Sequence, residues 1–263
     1  MPEGDTLHRT AYTLNRVLGK QRLMRVRSSV PAIAEAALTG HVVEEVSALG
    51  KNLLIRFDDG RVLHTHLRMR GAWHVYRPGE RFQRPAHEVR LVLEVADALA
   101  VCFAAPTVRL LAGNAALHDP YLSGLGPDLI ADEFDRETAI TGLAALAELE
   151  LGEAVMAQTA LAGIGNIYKS ETLFLCRVNP FQRVSTLDHA ALAAVVLKAR
   201  ELLRASVHAQ SAQQERVLAR AGGQYWVYKR SGRPCRVCGT PVRMQRQGEQ
   251  LRSTYFCPCC QLV

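Results

Sequence analysis

Two pairs of cysteines near the C-terminal end constrain this chain more than any other feature. Cys235 and Cys238 form one C-x-x-C pair, and Cys257 and Cys260 form a second after an 18-residue gap. Pairs with this spacing sit on tight turns and place four thiolates tetrahedrally around one Zn²⁺ ion. The two-residue spacing makes Cys257 and Cys260 the better ligand pair and leaves Cys259 as the surplus thiol. Disulfide bonds are the alternative explanation of these cysteines. The lack of a secretory signal predicts a cytosolic protein, in which disulfide bonds are not expected.

The segment between the cysteine pairs predicts a small β-hairpin. Residues 242–246 and 250–256 alternate like two strands, with a turn at 247–249. A module this small cannot fold on apolar burial alone, so a structural zinc ion should supply its folding energy. The hairpin carries Arg243, Arg246 and Arg252, and the guanidinium fork binds phosphate oxygens in pairs.

The positive charge of the chain is concentrated at its two ends. The 263 residues carry a net charge of +7, but residues 216–263 alone carry +8, residues 1–110 carry +5 and residues 111–215 carry −6. This pattern fits a contact with a polyanion, and it fits a solvated basic tail equally well. The apolar stretches are far shorter than the roughly 20 residues of a membrane span, so no membrane contact is expected.

The hydrophobic pattern divides the chain into a β part and a helical part. Residues 5–18 predict a helix capped by Asp5 or Thr6, and residues 22–111 predict a sandwich of two sheets. Residues 113–126 read as a linker. Helices are then expected over 133–149, 153–160, 167–176 and 187–207, the last capped by Ser185-Thr186.

The helical part contains a glycine-rich turn at residues 163–166, Gly-Ile-Gly-Asn. Its two glycines allow positive φ, and they leave backbone N–H groups bare at the start of the next helix, where an anion is favoured. Gly165 and the amide of Asn166 would form a phosphate clamp. A plain turn between two helices is the commoner explanation of such a motif.

The N-terminus carries the sharpest chemical signal. Removal of Met1 would leave a secondary amine on Pro2, and an α-amino group with a pKa near ~8 is partly neutral at physiological pH. Such an amine can attack a sugar C1′ and form an iminium, with Glu3 beside it as acid or base. A Met-Pro-Glu start also arises by chance, so its meaning depends on the rest of the chain.

Five motifs occur together and in order along the chain. They are Met-Pro-Glu-Gly at 1–4, Gly-Lys-Asn-Leu-Leu at 50–54, Leu-Gly-Pro-Asp at 125–128, Ala-Gly-Ile-Gly-Asn-Ile-Tyr at 162–168 and Arg-Ser-Thr-Tyr-Phe-Cys-Pro-Cys-Cys-Gln at 252–261. Together they resemble the formamidopyrimidine-DNA glycosylase/endonuclease VIII family. The resemblance implies a multidomain α+β fold: an N-terminal helix plus β-sandwich (1–125), a helix-two-turns-helix domain (126–222) and a zinc-finger β-hairpin (223–263).

The resemblance also implies catalytic roles. Pro2 would be the nucleophile on C1′ of the damaged nucleotide, and Glu3 would handle protons at the sugar. Lys51, expected on a strand near the active site, would contact phosphate and assist elimination. Arg252 would reach the same DNA backbone from the zinc hairpin. Zinc itself would be structural.

DNA contacts follow from the same resemblance. Gly165 and Asn166 would hold a phosphate beside the lesion, together with Lys51. Met69 matches the position that wedges into the base stack when the damaged base flips out, with Arg68 and Arg70 flanking the gap. An ordinary strand methionine is the alternative explanation for Met69.

Departures from the family pattern bear on the substrate. Gly4 and Thr6 resemble the endonuclease VIII side, which prefers oxidised pyrimidines, and only Arg109 survives, in uncertain register, from a basic segment of the purine-type enzymes. The leading hypothesis is a bifunctional glycosylase/lyase for oxidised pyrimidines. Alternatives are a purine-type enzyme of the same family and a non-catalytic zinc-dependent DNA-binding protein. The expected partner is damaged double-stranded DNA, bound by a monomer at the cytoplasmic nucleoid.

Overall fold

A computed structural model describes residues 2–113, 118–208 and 225–262. The chain forms two compact units, Met1–Gly124 and Leu125–Val263. Each unit has its own apolar core. The further division of the second unit at residue 222 lies outside the described residues and stays a prediction. No helix within the described ranges has the length and apolar character that crossing a membrane takes.

The first unit is a helix packed on two antiparallel four-stranded sheets, as the sequence predicts. Its elements are α1 (Gly4–Leu18), β1 (Arg25–Ser28), α2 (Pro31–Ala34), β2 (Val43–Leu49), β3 (Asn52–Phe57), β4 (Val62–His66), β5 (Ala72–Tyr76), β6 (Val89–Glu94), β7 (Leu99–Phe103), β8 (Thr107–Leu111) and α3 (Pro120–Ser123), with a 3₁₀ turn at Ala86–Glu88. The strand orders in the two sheets are β1-β6-β7-β5 and β2-β3-β4-β8.

The core of this unit follows the period of each element. Leu53, Ile55 and Phe57 alternate along β3 and are completely buried, since every second strand residue faces the same side. Leu7 and Leu14 lie on the apolar stripe of α1 and join the same cluster. The predicted cap of α1 is wrong. The helix begins one residue earlier, with Glu3 at the cap position.

The second unit is helical and ends in a two-stranded hairpin. Its first two helices are shorter than the predicted 133–149 and 153–160. Asp135 caps the first one through a 3.0 Å bond from the Thr138 amide, and turns follow the second. The other two helices differ from their predicted bounds by one or two residues. Its elements are α4 (Arg136–Ala144), α5 (Leu151–Ala154), α6 (Asn166–Leu175), α7 (His189–His208), β9 (Arg243–Gln247) and β10 (Arg252–Phe256).

Two local predictions in this unit are corrected. Ser185 and Thr186 do not cap α7, because they lie in a 3₁₀ turn, and the side chain of Asp188 instead accepts the Ala191 amide at 2.8 Å. The hairpin turn is longer than expected, with the closing pair Gln247–Arg252. The first and last residues of this four-residue loop, Gly248 and Leu251, both adopt positive φ.

Candidate functional site

The N-terminal dipeptide stands directly before α1. Pro2 is half-buried and Glu3 is completely buried. The backbone carbonyl of Glu3 accepts the amides of Thr6 and Leu7 at 2.9 and 3.2 Å, but its side chain does not cap the helix. The helix start therefore fixes the backbone of Glu3 without using its carboxylate for capping. An amine and a carboxylate on adjacent residues are the groups that proton-coupled attack on a sugar needs.

Lys51 lies in the two-residue loop between β2 and β3, and not on a strand as expected. Leu49 and Asn52 form the closing pair, and Gly50 takes a φ of 57°. Hairpin loops of two residues match the twist of their strands only with positive φ at the first position, which glycine adopts without strain. The half-buried Lys51 is therefore presented at a tight hairpin tip.

Positive charge gathers around this tip. Burial, followed by the charges of Arg68 and then Lys51, lowers the pKa of His66. The imidazole is therefore neutral at physiological pH, and the cationic side chains remain the source of positive potential. Such a cluster favours an anion such as a phosphate.

Met69 stands at the tip of the loop between β4 and β5. A 2.9 Å backbone hydrogen bond closes the loop at 67–71, and Arg68 adopts a φ of 46°. The Met69 side chain is 72% exposed. Arg70 is also exposed and reaches Glu88 at 3.3 Å. An unbranched apolar side chain between two arginines on a closed loop has the shape and chemistry of a wedge.

Gly165 and Asn166 begin α6 in the second unit. Gly165 has an extended backbone at the cap position, and the positive φ of this turn belongs to Gly163 at 107°. The Asn166 amide nitrogen donates to the carbonyl oxygen of Ser253 at 2.6 Å. The side chain expected to face a phosphate therefore also ties α6 to the hairpin.

Arg252 opens β10 next to this contact. Two of its guanidinium nitrogens donate to the side-chain oxygen of Gln250 at 3.0 and 2.7 Å. Because Ser253 follows directly, the bond from Asn166 holds the strand that carries Arg252. The structure thus brings these two predicted site residues together on neighbouring elements of one unit.

Four cysteine thiols converge beside the hairpin. The sulfurs of Cys235, Cys238, Cys257 and Cys260 lie within 4.8 Å of one another, while Cys259 is exposed and outside the group. The sulfurs of Cys238 and Cys257 are 3.5 Å apart, and those of Cys235 and Cys260 are 3.9 Å apart. A tetrahedral ion with Zn–S bonds near 2.3 Å needs sulfurs about 3.8 Å apart, so the four thiols can hold one metal ion.

Thiolate formation is favoured at one of these cysteines. Hydrogen bonds from the side chain and backbone of Thr240 lower the pKa of Cys238 to about 6. The first cysteine turn also contains Gly239 with a φ of 78°, which closes the turn without steric cost. A thiol that ionises near neutral pH is ready to bind a cation.

Two buried charges on α6 were missed by the sequence analysis. The Lys169 ammonium donates to the hydroxyl of Thr254 on β10 at 2.7 Å. The Glu171 carboxylate accepts three backbone amides from residues 226–228 at 2.7 to 3.0 Å. Both residues fix C-terminal segments to α6. Their positions on the helix carry no sequence signal, because charged residues at this spacing are usually solvated.

Comparisons with known proteins agree with this architecture. Residues 1–107 match the model of the formamidopyrimidine-DNA glycosylase N-terminal domain, and residues 125–216 match the model of the H2TH domain of the same enzymes. The solved structure of Lactococcus lactis formamidopyrimidine-DNA glycosylase bound to DNA with an abasic site superposes with a TM-score of 0.85 and covers 100% of both chains. At 21% identity, this likeness shows the fold.

Relatives of higher identity span nearly the whole chain. A probable endonuclease 8 of Streptomyces coelicolor is 40% identical over 99% of this chain and 94% of its own length. A DNA-(apurinic or apyrimidinic site) lyase of Mycolicibacterium smegmatis is 37% identical over 99% of both chains. On these matches, and on the order of the domains, the chain belongs to the formamidopyrimidine-DNA glycosylase/endonuclease VIII family of DNA glycosylases.

Proposed function

We propose that this chain is a bifunctional base-excision repair enzyme that removes oxidised pyrimidines and then cleaves the strand. The buried Glu3 directly behind Pro2 at the start of α1 is the observation that carries this proposal. A protein that only binds DNA needs neither a free secondary amine nor a carboxylate beside it.

The first step replaces the damaged base by the enzyme. After removal of Met1, the neutral amine nitrogen of Pro2 bonds to C1′, the glycosidic bond breaks, and the base leaves with a proton. Opening of the sugar ring then leaves a cationic iminium between Pro2 and C1′. Glu3 is the nearest group along the chain that can give and take the protons of these transfers.

The second step cleaves the DNA strand. Loss of the C2′ proton sends its electron pair toward the iminium, and the C3′–O bond breaks, which releases the 3′ phosphate (β-elimination). A further elimination expels the 5′ phosphate, and water then frees Pro2. We assign Lys51 and Arg252 to the flanking phosphates, where their charge stabilises the leaving oxygens.

DNA binding uses both units in this proposal. Gly165 and Asn166 hold a phosphate, while Met69 fills the gap left by the flipped base between Arg68 and Arg70. The ligand is damaged double-stranded DNA, and the enzyme acts on it as a monomer at the nucleoid. We also propose the three-domain division at residues 125 and 222.

One zinc ion is proposed to hold the hairpin. Cys235, Cys238, Cys257 and Cys260 provide four thiolates, the ligand set of structural zinc. The ion supplies folding energy for a module too small to fold on its own core. This chain's own residues then carry out the chemistry.

The preference for pyrimidines rests on two observations. Gly4 stands where the purine-type pattern has leucine, and the relative that is 40% identical is named an endonuclease 8. A panel of duplexes, each with one defined oxidised pyrimidine or purine, tests this preference. Faster single-turnover release of pyrimidines is expected, and faster release of purines would favour the purine-type alternative.

Borohydride trapping on abasic-site DNA tests the chemistry. Protein whose Met1 is verified as removed should give a covalent adduct, and Pro2→Gly should lower its yield at least tenfold. Thr13→Ala, at an exposed position of the same helix, is the matched control and should trap like the parent. A correctly processed protein that binds DNA without an adduct would instead support the non-catalytic alternative.

A further inference from the structure

A chain of polar side chains, buried except for Arg109, ends at the loop that carries Lys51. The imidazole nitrogen Nε2 of His64 lies 2.8 Å from the side-chain oxygen of Asn52, and Nδ1 lies 2.9 Å from the guanidinium of Arg109. Arg109 pairs with Asp119 at 3.1 Å. His64 and Asn52 are each 1% exposed. We refer to these four residues as the His64 chain.

Arg109 donates to Asp119 on one side, and from Arg109 toward the Leu49 carbonyl the hydrogen bonds run in one direction. A guanidinium can only donate, so Nδ1 of His64 must accept from Arg109 and Nε2 must carry the proton. Nε2 then donates to Asn52, whose amide nitrogen donates in turn to the backbone carbonyl of Leu49 at 3.0 Å. Burial and the charge of Arg109 lower the pKa of His64 to about 4, which keeps this arrangement in place at neutral pH.

The last bond of the chain closes the loop beneath Lys51. Leu49 and Asn52 are the paired residues on either side of the Gly50-Lys51 tip. The Asn52 side chain adds a second link between them, so it restricts the loop to one conformation. His64 sets the orientation of the Asn52 side-chain amide, because the protonated Nε2 can donate to the amide oxygen but not to the amide nitrogen.

The other end of the chain is anchored as firmly. Asp119 accepts the backbone amides of Tyr121 and Leu122 at 3.2 and 3.0 Å. The ring of Tyr121 stacks on His64 with 6.1 Å between centroids and 24° between planes. Arg109 is thus held between an anchored carboxylate and the imidazole, and it cannot leave without an unpaired buried group behind it.

We propose that His64 is a positioning residue for Lys51, acting through Asn52, and that Arg109 sets the proton position that this requires. Arg109 accordingly serves the loop and not the damaged base. The inference rests on the proposed function in one respect, the assistance of Lys51 in strand cleavage. It adds residues that contact neither DNA nor the reacting atoms.

Substitutions at His64 separate positioning from simple stability. His64→Leu removes both bonds and should slow strand cleavage at a preformed abasic site at least tenfold, while the borohydride adduct at saturating enzyme stays within twofold. Gln can accept from Arg109 and donate to Asn52, so His64→Gln should restore cleavage to within threefold. Arg109→Met, at a side chain 42% exposed, removes only the donor to Nδ1 of His64 and the pair with Asp119, and it should slow cleavage several-fold.

A matched control and a cycle with Lys51 complete the experiment. Thr65 lies on the same strand as His64 and accepts a buried 3.1 Å bond from Trp73 of β5. Thr65→Val breaks this bond and should leave cleavage unchanged. In a Lys51→Ala background, His64→Leu should cause no further loss. The inference is overturned if His64→Leu cleaves at the parent rate, if Thr65→Val is equally slow, or if the loss persists without Lys51. A parent protein that forms no adduct overturns the proposed function itself, and the inference with it.

Discussion

Met69 has the most exposed large apolar side chain within residues 2–113, 118–208 and 225–262. A single exposed methionine is common on protein surfaces. This one is held at a closed loop tip between two arginines, so its exposure is fixed by the backbone. At the scale of single residues, the local structure of this loop leaves the Met69 side chain no packing role.

Met69→Ala should slow base release without affecting later chemistry. A lost wedge raises the cost of flipping the base by about 1.4 kcal/mol, which is a tenfold slower single-turnover release. Cleavage at a preformed abasic site, where no base is flipped, should change less than threefold. Met24→Ala, another exposed methionine of the same unit, is the control. Equal slowing of both reactions by Met69→Ala would contradict the wedge.

His64 gives the folded protein a defined pH dependence. Its pKa falls from 6.5 to about 4 on folding, because burial and then the charges of Arg109 and His66 oppose protonation more than Asp119 favours it. Between these pH values the unfolded chain binds a proton that the folded chain does not. The free energy of unfolding therefore decreases as the pH falls, by roughly 3 kcal/mol from this group.

Denaturant unfolding at several pH values measures this effect. The parent should lose about 3 kcal/mol more than His64→Gln between pH 6.5 and 4, since glutamine does not titrate. The two proteins should run parallel above pH 7. If the stabilities of the two proteins instead stay parallel down to pH 4, folding does not lower the pKa of His64.

Helix α6 connects several parts of the second unit. Asn166 at its start bonds to Ser253, and Lys169 one turn later bonds to Thr254. Thr254 donates to Gln247 at 2.7 Å, which links the two hairpin strands through side chains. At the scale of elements, α6 and the hairpin form one connected body.

Gly248→Ala should disturb this body through the hairpin turn. Gly248 has a φ of 69°, and an added Cβ would meet the Glu153 carboxylate. We expect about 1–2 kcal/mol lower stability of the second unit, because side chains raise the cost of this conformation. Trp226 fluorescence in a Trp73→Phe background reports on that unit alone. Glu249→Ala at the same turn should have little effect, and equal stability of both variants would contradict the prediction.

Charge is distributed unevenly over the whole molecule. Residues 1–110 and 216–263 are basic, and the segment between them is acidic. The acidic segment contains the described helices of the second unit. The group proposed there to contact a phosphate is the neutral side chain of Asn166 and not a cation. Binding to DNA should therefore depend on salt mainly through the basic segments.

Metal removal should affect the two units differently. Chelation, or Cys238→Ser, should unfold the hairpin and weaken DNA binding at least tenfold, because the metal supplies the folding energy of that module. The first unit has a core of its own, so Trp73 should keep its native fluorescence. Cys259→Ser is the control and should bind metal and DNA normally. Full DNA binding after verified metal loss would contradict the structural role.

The sequence by itself determined those features that depend on residues close together in the chain or on side chains of one dominant chemistry. The spacing of four cysteines predicted a cluster that can hold a metal ion, the alternation along β3 predicted a buried strand face, and the stripe on α1 predicted the first helix. These features depend on residues a few positions apart, or on side chains with one dominant chemistry. The same patterns, through their resemblance to known enzymes, also led to the prediction that Pro2 and Glu3 are the reactive pair.

Only the tertiary structure decided how distant polar groups pair. His64 meets Arg109 across 45 residues, and Asn166 meets Ser253 across 87. Nothing near either residue in the chain distinguishes a buried, partnered side chain from a solvated one. The reason is physical: burial of a polar group is stable only where its partner is present, and the partner is brought there by strand register and helix packing.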